Sequence, residues 1–386
     1  MNGETEARIA LARVAEPGDR VMGRLVAAHG AAGALACVRA GRWPGEFAAA
    51  ERARAGRRES DLERRLESWR ARLPLVDPGR DLAATERAGA RVVVPGDPGW
   101  PTQLDDLGDA RPLILWLRGD AEFRFACLRS VAIVGSRACT AYGAQVAADF
   151  AGTLSERGWT VVSGGAYGID GAAHRGALSG GAPTVCVLAC GVDVPYPAGH
   201  THLFDAIRAD GVLVSESPPG ARPARTRFLV RNRVIAALSR GTLVVEAAIR
   251  SGALNTAAHA ADLSRHVAAV PGPVTSELSA GCHRLLRESA ATCVTTPEEL
   301  IELIGEMGGD LAPVRRAPTL PLDTLSPEAR RVLDALPARG GAGPATIAIA
   351  AGLPLTDALA HLGHLSAIGQ ARQTPQGWRR RPTPPP

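Results

Sequence analysis

Eight short apolar runs recur between about residue 74 and residue 307, and they constrain the fold more than any other feature of the chain. Most are continuous rather than alternating, which is the pattern of strands buried on both faces of a parallel sheet. Helical stretches separate them, as where Val146, Phe150 and Leu154 fall one turn apart. The pattern predicts a doubly wound α/β domain. The runs are RVVVPG, LILWLRG, VAIVG, TVVSGG, TVCVLACG, VLVSES, TLVVEA and HVAAVPG.

The segment before this domain is predicted to be helical over residues 1–73. Leu62, Leu66, Trp69 and Leu73 give an apolar stripe at spacings of four, three and four. The stretch AAHGAAGALACVRAG resembles a glycine-punctuated helical hairpin. Such a hairpin is either a small SAM-like or helix-hairpin-helix nucleic-acid module or a packing module, and the sequence leaves both open.

The segments after the α/β domain, which is predicted over 74–307, are more varied. Residues 308–323 are rich in proline and predict a linker. Residues 324–380 predict three helices and two short strands around a glycine, the element order of a winged helix. The end of the chain, 381–386, is predicted to be a disordered tail.

The composition is that of an ordinary globular protein, with 386 residues, 46% hydrophobic and 22% charged. No stretch approaches about eighteen uninterrupted apolar residues, and the first residues lack the pattern of a signal peptide. We therefore expect a cytoplasmic protein without a membrane segment. The seven cysteines lack the spacing of a metal finger and are predicted to be reduced thiols.

The position of the arginines is more informative than their number. The formal net charge is only +5, and arginine is the chain's sole basic residue apart from histidine. From Ser217 to Val245 there is no acidic residue, whereas six arginines fall within nineteen positions. This is the electrostatic footprint of a site for a polyanion. The arginines are Arg222, Arg225, Arg227, Arg231, Arg233 and Arg240.

An aromatic residue, Phe228, lies among these arginines. An aromatic ring amid cations is suited to stacking on an unpaired base. The same ring could instead belong to a core stripe with Val230, Val234 and Leu238. The sequence alone favours neither interpretation of Phe228.

Ligands of an open parallel sheet bind at the carboxyl ends of its strands, so the turns there carry the functional candidates. The turn GSRACTAYG (135–143) lacks G-x-G-x-x-G, and the next strand ends in SGG rather than in an acidic residue. A dinucleotide site is therefore disfavoured. Ser136 instead offers a hydroxyl, and Arg137 offers a planar fork that suits a phosphate. In the turn SGGAYGID, Gly164 and Gly165 would let backbone amides approach an anion.

These segments together resemble the DNA-processing protein A (DprA, also called Smf) family. The resemblance lies in the order and spacing of VAIVGSRACTAYG, VVSGGAYGIDGAAHRGAL, VPYPAGH, SESPPG, FLVRNRVIAALS, LVVEAAIRSGALNTA and VAAVPG. It implies an extended Rossmann-like domain between an N-terminal helical domain and a C-terminal winged helix. It also implies a homodimer that binds single-stranded DNA and helps to load the RecA recombinase during natural transformation.

The resemblance also implies roles for individual residues. Ser136 and Arg137 would contact phosphate, Phe228 would stack on bases, and Gly164 and Gly165 would allow close approach. The full set of expected DNA-binding residues is Ser136, Arg137, Gly164, Gly165, Arg225, Phe228, Arg231, Asn232 and Arg233.

The chain departs from the family pattern in three places. Tyr167 stands where many relatives carry a basic residue, which bears on one phosphate contact. Leu229 replaces the proline that usually follows the aromatic residue, so the backbone beside Phe228 is less restricted. Cys282 and His283 replace the more usual Ala-Asn.

Two other functions fit parts of the sequence. A nucleotide phosphoribohydrolase resembling the Lonely Guy enzymes would use Glu246 as its carboxylate, but SGALNTAAHA lacks the glutamate of that family's loop. A duplex-binding winged helix would use helix 355–367, which carries two histidines and no arginine. His200 and His202 lack a partner at a metal-ligand spacing. We therefore expect a binding protein that is not an enzyme and needs no cofactor or metal.

Overall fold

The computed structural model describes residues 3–55, 59–306, 310–313 and 324–381. Contacts group the chain into two compact units, residues 1–312 and residues 313–386. The first unit holds the N-terminal helices together with the α/β sheet, and the second is a small helical unit with a hairpin. Most of the predicted linker over 308–323, and the tail beyond Arg381, lie outside the described residues.

The N-terminal region is helical, as the sequence predicts. Asp19 caps the second helix by accepting hydrogen bonds from the backbone N–H groups of Val21 and Met22. Leu66 and Trp69, from the predicted apolar stripe, are buried in the core that the helices share. The helices are α1 (Gly3–Val14), α2 (Arg20–Ala40), α3 (Gly45–Ala55) and α4 (Glu59–Arg72).

Helix α2 contains the glycine-punctuated stretch. Gly30, at φ 68° and ψ 170°, interrupts its helical backbone, so the predicted hairpin is a break within one long helix. In the described residues α2 is the one helix that is by itself long and apolar enough to span a membrane. The helices Pro344–Ala351 and Leu355–Ala367 are long enough only as a pair, and that pair is bent by 103°. Leu25 and Val38, on either side of the break, are buried in the N-terminal core.

Nine strands form one sheet in the described residues, and eight of them are the predicted runs. The ninth strand is two exposed residues long, so it has no apolar run that could predict it. The strands are β1 (Arg91–Val93), β2 (Leu115–Arg118), β3 (Ser130–Val134), β4 (Thr160–Ser163), β5 (Thr184–Leu188), β6 (Val212–Ser215), β7 (Gly241–Val244), β8 (His266–Ala269) and β9 (Thr292–Cys293).

The strand order is β1-β2-β6-β5-β4-β3-β7-β8-β9. Strands from β6 to β9 in this order are parallel, and β2 joins β6 antiparallel with β1 outside it. The predicted parallel sheet is thus confirmed, with an antiparallel pair added at one edge. The chain runs outward from β3 to β6 and then returns to place β7 on the other side of β3. The order therefore reverses between β3 and β7, at the kind of switch point where such sheets bind ligands.

Helices cover both faces of the sheet. Side chains alternate along β3, so that Val131 and Ile133 face one layer while Ala132 and Val134 face the other. The helices that follow the N-terminal four are α5 (Pro78–Arg87), α6 (Phe123–Ala126), α7 (Ala141–Glu156), α8 (Ile169–Gly180), α9 (Thr201–Asp210), α10 (Arg225–Leu238), α11 (Gly252–Asp262), α12 (Ala280–Arg287) and α13 (Pro297–Ile304). Helices α7, α8 and α13 lie on the first of these faces, and α10 and α11 lie on the second.

The C-terminal unit contains α14 (Pro327–Ala335), α15 (Pro344–Ala351), α16 (Leu355–Ala367), β10 (Ala371–Thr374) and β11 (Gly377–Arg380). The two strands form an antiparallel hairpin, and Leu333, Ile347 and Leu362 are buried between the helices. The predicted element order is therefore present, while the assignment of this unit as a winged helix stays a prediction.

The closest helix contact on the sheet joins α7 to α8, and two glycines there give a test of the packing. A Cβ at Gly176 would overlap the backbone carbonyl of Ala148, whereas a Cβ at Gly152 would stop 3.6 Å from the nearest atom. Gly176→Ala should therefore lower the free energy of unfolding by about 1–3 kcal/mol. Gly152→Ala should raise it by up to about 1 kcal/mol through helix propensity. Urea denaturation measures both, and equal effects would contradict this packing.

Candidate nucleic-acid interface

A cleft of about 420 Å³ opens at the switch point between β3 and β7. The turn after β3, the loop after β7 and residues of α10 and α11 line it, together with Ala166 and Asp170 after β4. Five of the nine predicted DNA-binding residues meet there, namely Ser136, Arg137, Phe228, Arg231 and Asn232. The other four lie outside its lining, namely Gly164, Gly165, Arg225 and Arg233.

A buried carboxylate closes the base of the turn after β3. Glu246, which is 1% exposed, accepts hydrogen bonds from the backbone N–H of Thr140 at 2.9 Å and from its hydroxyl at 2.6 Å. Thr140 is the N-cap of α7, so the negative charge of Glu246 lies at the positive end of the helix dipole. The backbone carbonyl of Glu246 also accepts a hydrogen bond from the N–H of Ser136, at 2.7 Å.

Glu246 occupies the place that a dinucleotide's pyrophosphate takes in a Rossmann site, the N-terminus of the helix that follows the first parallel strand. A Cβ at Gly143 would overlap the Glu246 carboxylate, which explains a glycine at that position. Both carboxylate oxygens are hydrogen-bonded within the fold. A pyrophosphate would have to displace this carboxylate, so a ligand of the cleft must bind on the outer side of the turn.

The outer side of the turn carries Ser136 and Arg137. Ser136 is half-buried in the cleft wall, and Arg137 is exposed at the mouth of the cleft. The Arg137 guanidinium carbon lies 4.9 Å from the centre of the Phe228 ring. Arg137 makes no ion pair with any acidic residue in the described part of the chain. Its charge is therefore available to an anionic ligand.

Phe228 lies in the first turns of α10 and is half-buried. Besides Arg137, its ring contacts that of Tyr196, at a centre-to-centre distance of 5.6 Å and an angle of 50°. Tyr196 belongs to the loop after β5 and was not predicted as a site residue. The Phe228 ring thus forms part of an aromatic surface at the cleft, whereas Val234 and Leu238 of the same helix belong to the core.

Arg231 is buried under the cleft. Its guanidinium donates to the carbonyl of Gly164 at 2.8 Å and to the carbonyl of Val187, and Asp170 lies beside it. Burial lowers the pKa of Arg231 and raises the pKa of Asp170, and the attraction between the two opposes both shifts. Arg231 therefore ties α10 to the ends of β4 and β5, and a direct DNA contact by Arg231 stays a prediction.

Internal packing explains the two glycines after β4. A Cβ at Gly164 would overlap the Arg231 guanidinium, and a Cβ at Gly165 would lie 2.7 Å from the sulfur of Cys186. The N–H of Gly164 points to the Asp170 carboxylate at 3.2 Å. The close approach expected of these glycines is thus made to the protein's own atoms, and contact with phosphate stays a prediction.

Arg233 also points into the fold. Its guanidinium forms two hydrogen bonds of 2.6 Å with the Glu216 carboxylate and one of 2.9 Å with the Ala110 carbonyl, and the side chain is buried. Arg227 pairs with Glu16 at 2.9 Å. The arginine-dense segment is therefore less of a free cationic surface than the sequence predicts, because its partners come from distant parts of the chain.

Only some arginines of that segment remain open to solvent. Arg222 and Arg225 are exposed and make no ion pair within the described residues. Arg240 donates to the carbonyl of Leu128, before β3, and so lies at the opposite end of the sheet from the cleft. Arg222 stands just before α10 and Arg225 at its start, and a DNA contact by Arg225 stays a prediction.

The loop after β7 adds residues that the sequence did not single out. Arg250 is exposed and lines the cleft, and Ser251 begins α11 by accepting a hydrogen bond from the N–H of Ala253. The Asn232 amide donates to the carbonyl of Gly252 at 3.2 Å and so joins α10 to this loop. The N-terminus of α11 therefore faces the cleft, where it favours an anion. A single arginine in the loop gave no local signal for this role.

One of the two histidines considered for a metal packs inside the fold. His200 is buried, and its Nδ1 lies 3.1 Å from the carbonyl oxygen of Gly165. In the residues that the structure describes, no three His, Cys, Asp or Glu side chains cluster as a metal site would require.

The fold is that of a doubly wound, Rossmann-like α/β protein with a cleft at the switch point of its sheet. Residues 91–305 match the family model of DNA recombination-mediator protein A. A putative DNA processing protein DprA of Mycobacterium tuberculosis is 45% identical over 380 residues, which are 96% of this chain and 92% of that protein. The chain belongs to the DNA-processing protein A family, which confirms the resemblance seen in its motifs. A role in DNA processing follows from this membership.

Solved structures agree with the fold. The X-ray structure of DNA processing protein A from Streptococcus pneumoniae has a TM-score of 0.63 at 28% identity and covers 79% of this chain and 99% of that one. A structure of the Helicobacter pylori protein, which describes a unique single-stranded DNA binding mode, has a TM-score of 0.50 at 27% identity. It covers 55% of this chain and 94% of that one.

The burial of Arg233 can be tested through stability. Arg233→Met should lower the free energy of unfolding by about 3–5 kcal/mol, because the mostly buried Glu216 carboxylate would lose its partner. Arg227→Met removes the more exposed pair with Glu16 and should cost no more than about 1 kcal/mol. Urea denaturation of both variants gives the comparison. Similar losses in the two would mean that Arg233 is not held inside the fold.

Proposed function

We propose that this protein binds single-stranded DNA in the cleft at the switch point of its sheet. The observation that carries the proposal is the combination at the cleft mouth of exposed cations, Arg137 and Arg250, with the aromatic ring of Phe228. Cations that follow a backbone, interleaved with rings that stack on bases, are what an unpaired strand requires. The related Helicobacter pylori structure describes single-stranded DNA binding, which supports the same ligand here.

The phosphates would contact the cationic side of the cleft. Arg137 offers a planar fork, Ser136 a hydroxyl, and the N-terminus of α11 the positive end of a helix dipole. Each phosphate neutralised by such a group adds about 0.7 to the slope of log affinity against log salt for a single strand. Binding should therefore weaken as the salt concentration rises.

The bases would stack on the aromatic side. Arg137 now lies over the Phe228 ring, and a phosphate that attracts the guanidinium would free part of that ring for a base. Arg231 and Arg233 then act beneath the surface, because they hold α10 and thereby the position of Phe228. Asn232 would act in the same way through its bond to the α11 loop.

We propose that the protein is a binding protein rather than an enzyme. The carboxylate that a phosphoribohydrolase would use, Glu246, is buried and engaged with Thr140 on both oxygens. A general base or nucleophile needs access to its substrate, and Glu246 lacks that access. No step in the proposed function requires a cofactor or a metal.

The wider role that we propose is to protect incoming DNA and help to load RecA on it in natural transformation, in the cytoplasm. The family's description as a DNA recombination mediator supports a role beside a recombinase. We also propose a homodimer, which would bring two clefts to one strand. Its interface would include the segment from 266 to 294, where Val274 is 90% exposed.

Fluorescence anisotropy of a labelled single-stranded oligonucleotide tests the proposed site. Phe228→Leu should weaken binding by about 1–3 kcal/mol, because the leucine keeps the apolar volume but cannot stack. Phe125→Leu is the matched control, since Phe125 is 65% exposed and lies just before β3, at the opposite end of the sheet. This control should bind like the wild type.

The same titration with a duplex of the same sequence separates the competing sites. Single-strand binding that exceeds duplex binding and falls with salt supports the cleft. Equal binding to the duplex, with Phe228→Leu unchanged, would overturn the proposal and favour a site in the C-terminal unit.

A further inference from the structure

The chain has three tyrosines, of which Tyr167 and Tyr196 lie in the turns after β4 and β5, and Tyr142 lies in the first turn of α7, which follows β3. Tyr142 is 43% exposed, Tyr167 is 49% exposed and Tyr196 is 42% exposed. Most tryptophans of the chain, by contrast, are buried in the cores. Exposed aromatic rings are thus concentrated at the edge of the sheet that carries the cleft.

Tyr196 continues the aromatic surface outward from the cleft. It contacts Phe228 on one side, and within the described residues its hydroxyl has no hydrogen-bond partner. Core packing does not explain a tyrosine in this position, because much of the ring faces solvent. The ring is instead free to stack on a planar ligand.

Tyr167 is held beside the same loop. Its ring lies edge-on to that of His200, with the ring centres 4.8 Å apart, and a Cβ at Gly199 would lie 2.6 Å from its hydroxyl. His200 in turn is fixed by the carbonyl of Gly165. The loops after β4 and β5 are thereby locked together, and each presents a partly exposed tyrosine.

These two loops are not cationic. Residues 164–168 contain no charged side chain, and residues 189–199 contain one acidic residue and no arginine. The acidic residue is Asp193, whose carboxylate accepts hydrogen bonds from the N–H of Gly220 at 2.9 Å and 3.0 Å. The two loops themselves therefore supply no cation for a phosphate, whereas bases can stack on aromatic rings without a nearby positive charge.

We propose that Tyr196, with Tyr167 beside it, forms a second base-stacking site that carries an unpaired strand from the cleft across the ends of β4 and β5. The ligand is the exposed bases of single-stranded nucleic acid, and the phosphates of this part of the strand face solvent. This inference rests on the proposed function of the cleft, which it extends along the strand.

The position of the second site predicts how its loss should change the dependence of affinity on strand length and on salt concentration. Tyr196→Leu should weaken binding of a long oligothymidylate, of about sixteen nucleotides, by about tenfold, and should have little effect on a thymidine mononucleotide, whose one base can occupy the Phe228 ring alone. The salt dependence should not change, because no phosphate contact is lost. Arg137→Ala, by comparison, should reduce the slope of log affinity against log salt by about 0.7.

Matched variants separate stacking from other effects. Tyr142→Leu alters a tyrosine of similar exposure whose hydroxyl donates to the carbonyl of Pro271, near the end of β8, and should change affinity by less than about twofold. Tyr196→Phe keeps the ring and should bind like the wild type. Tyr167→Leu should weaken binding of the long oligonucleotide in the same salt-independent way.

The outcomes distinguish this inference from the function on which it rests. If the wild type binds the strand and Phe228→Leu weakens it, but Tyr196→Leu behaves like Tyr142→Leu, the second site is wrong and the cleft stands. If Tyr196→Phe loses as much affinity as Tyr196→Leu, the hydroxyl rather than stacking is responsible. A wild type that does not bind single strands would remove both proposals.

Discussion

The position of the Glu246 carboxylate determines the structure of the sheet edge that carries the cleft. A carboxylate at the N-terminus of α7 stabilises the helix through its dipole and holds the turn after β3 against the end of β7. The same contact fills the position that a pyrophosphate occupies in dinucleotide-binding relatives of the fold. The ligand is thereby displaced to the outer side of the turn, where Ser136 and Arg137 stand in place of further glycines.

The arginines near the cleft have two roles: some stabilise the fold, and others are exposed at the surface. Arg231 and Arg233 are buried and hydrogen-bonded to backbone carbonyls, and Arg233 also to the Glu216 carboxylate, so their charges hold α10 in position. Arg137 and Arg250 remain exposed at the cleft. A long-range field that attracts DNA can use all of these charges, and direct contacts by Arg231 and Arg233 stay predictions.

Sequence reasoning predicted the sheet well, because eight of its strands are apolar runs long enough to recognise, and it directed attention to the turns at the carboxyl ends of the strands. It failed for the pairing of the arginines, since Arg227 pairs with Glu16 and Arg233 with Glu216 and Ala110. Such partners depend on the fold and not on local charge. Arg250 and Tyr196 were missed for the same reason, because each is a single residue in a loop that the fold brings to the cleft.

Hydrogen–deuterium exchange of the full chain, with and without a saturating single-stranded oligonucleotide, tests the central claim most directly. A strand bound at the switch point should slow exchange in the turn at 135–140 and in the loop at 248–253, which both line the cleft. Helix 355–367 of the C-terminal unit should exchange as before. Protection of that helix, with both cleft segments unchanged, would contradict the account.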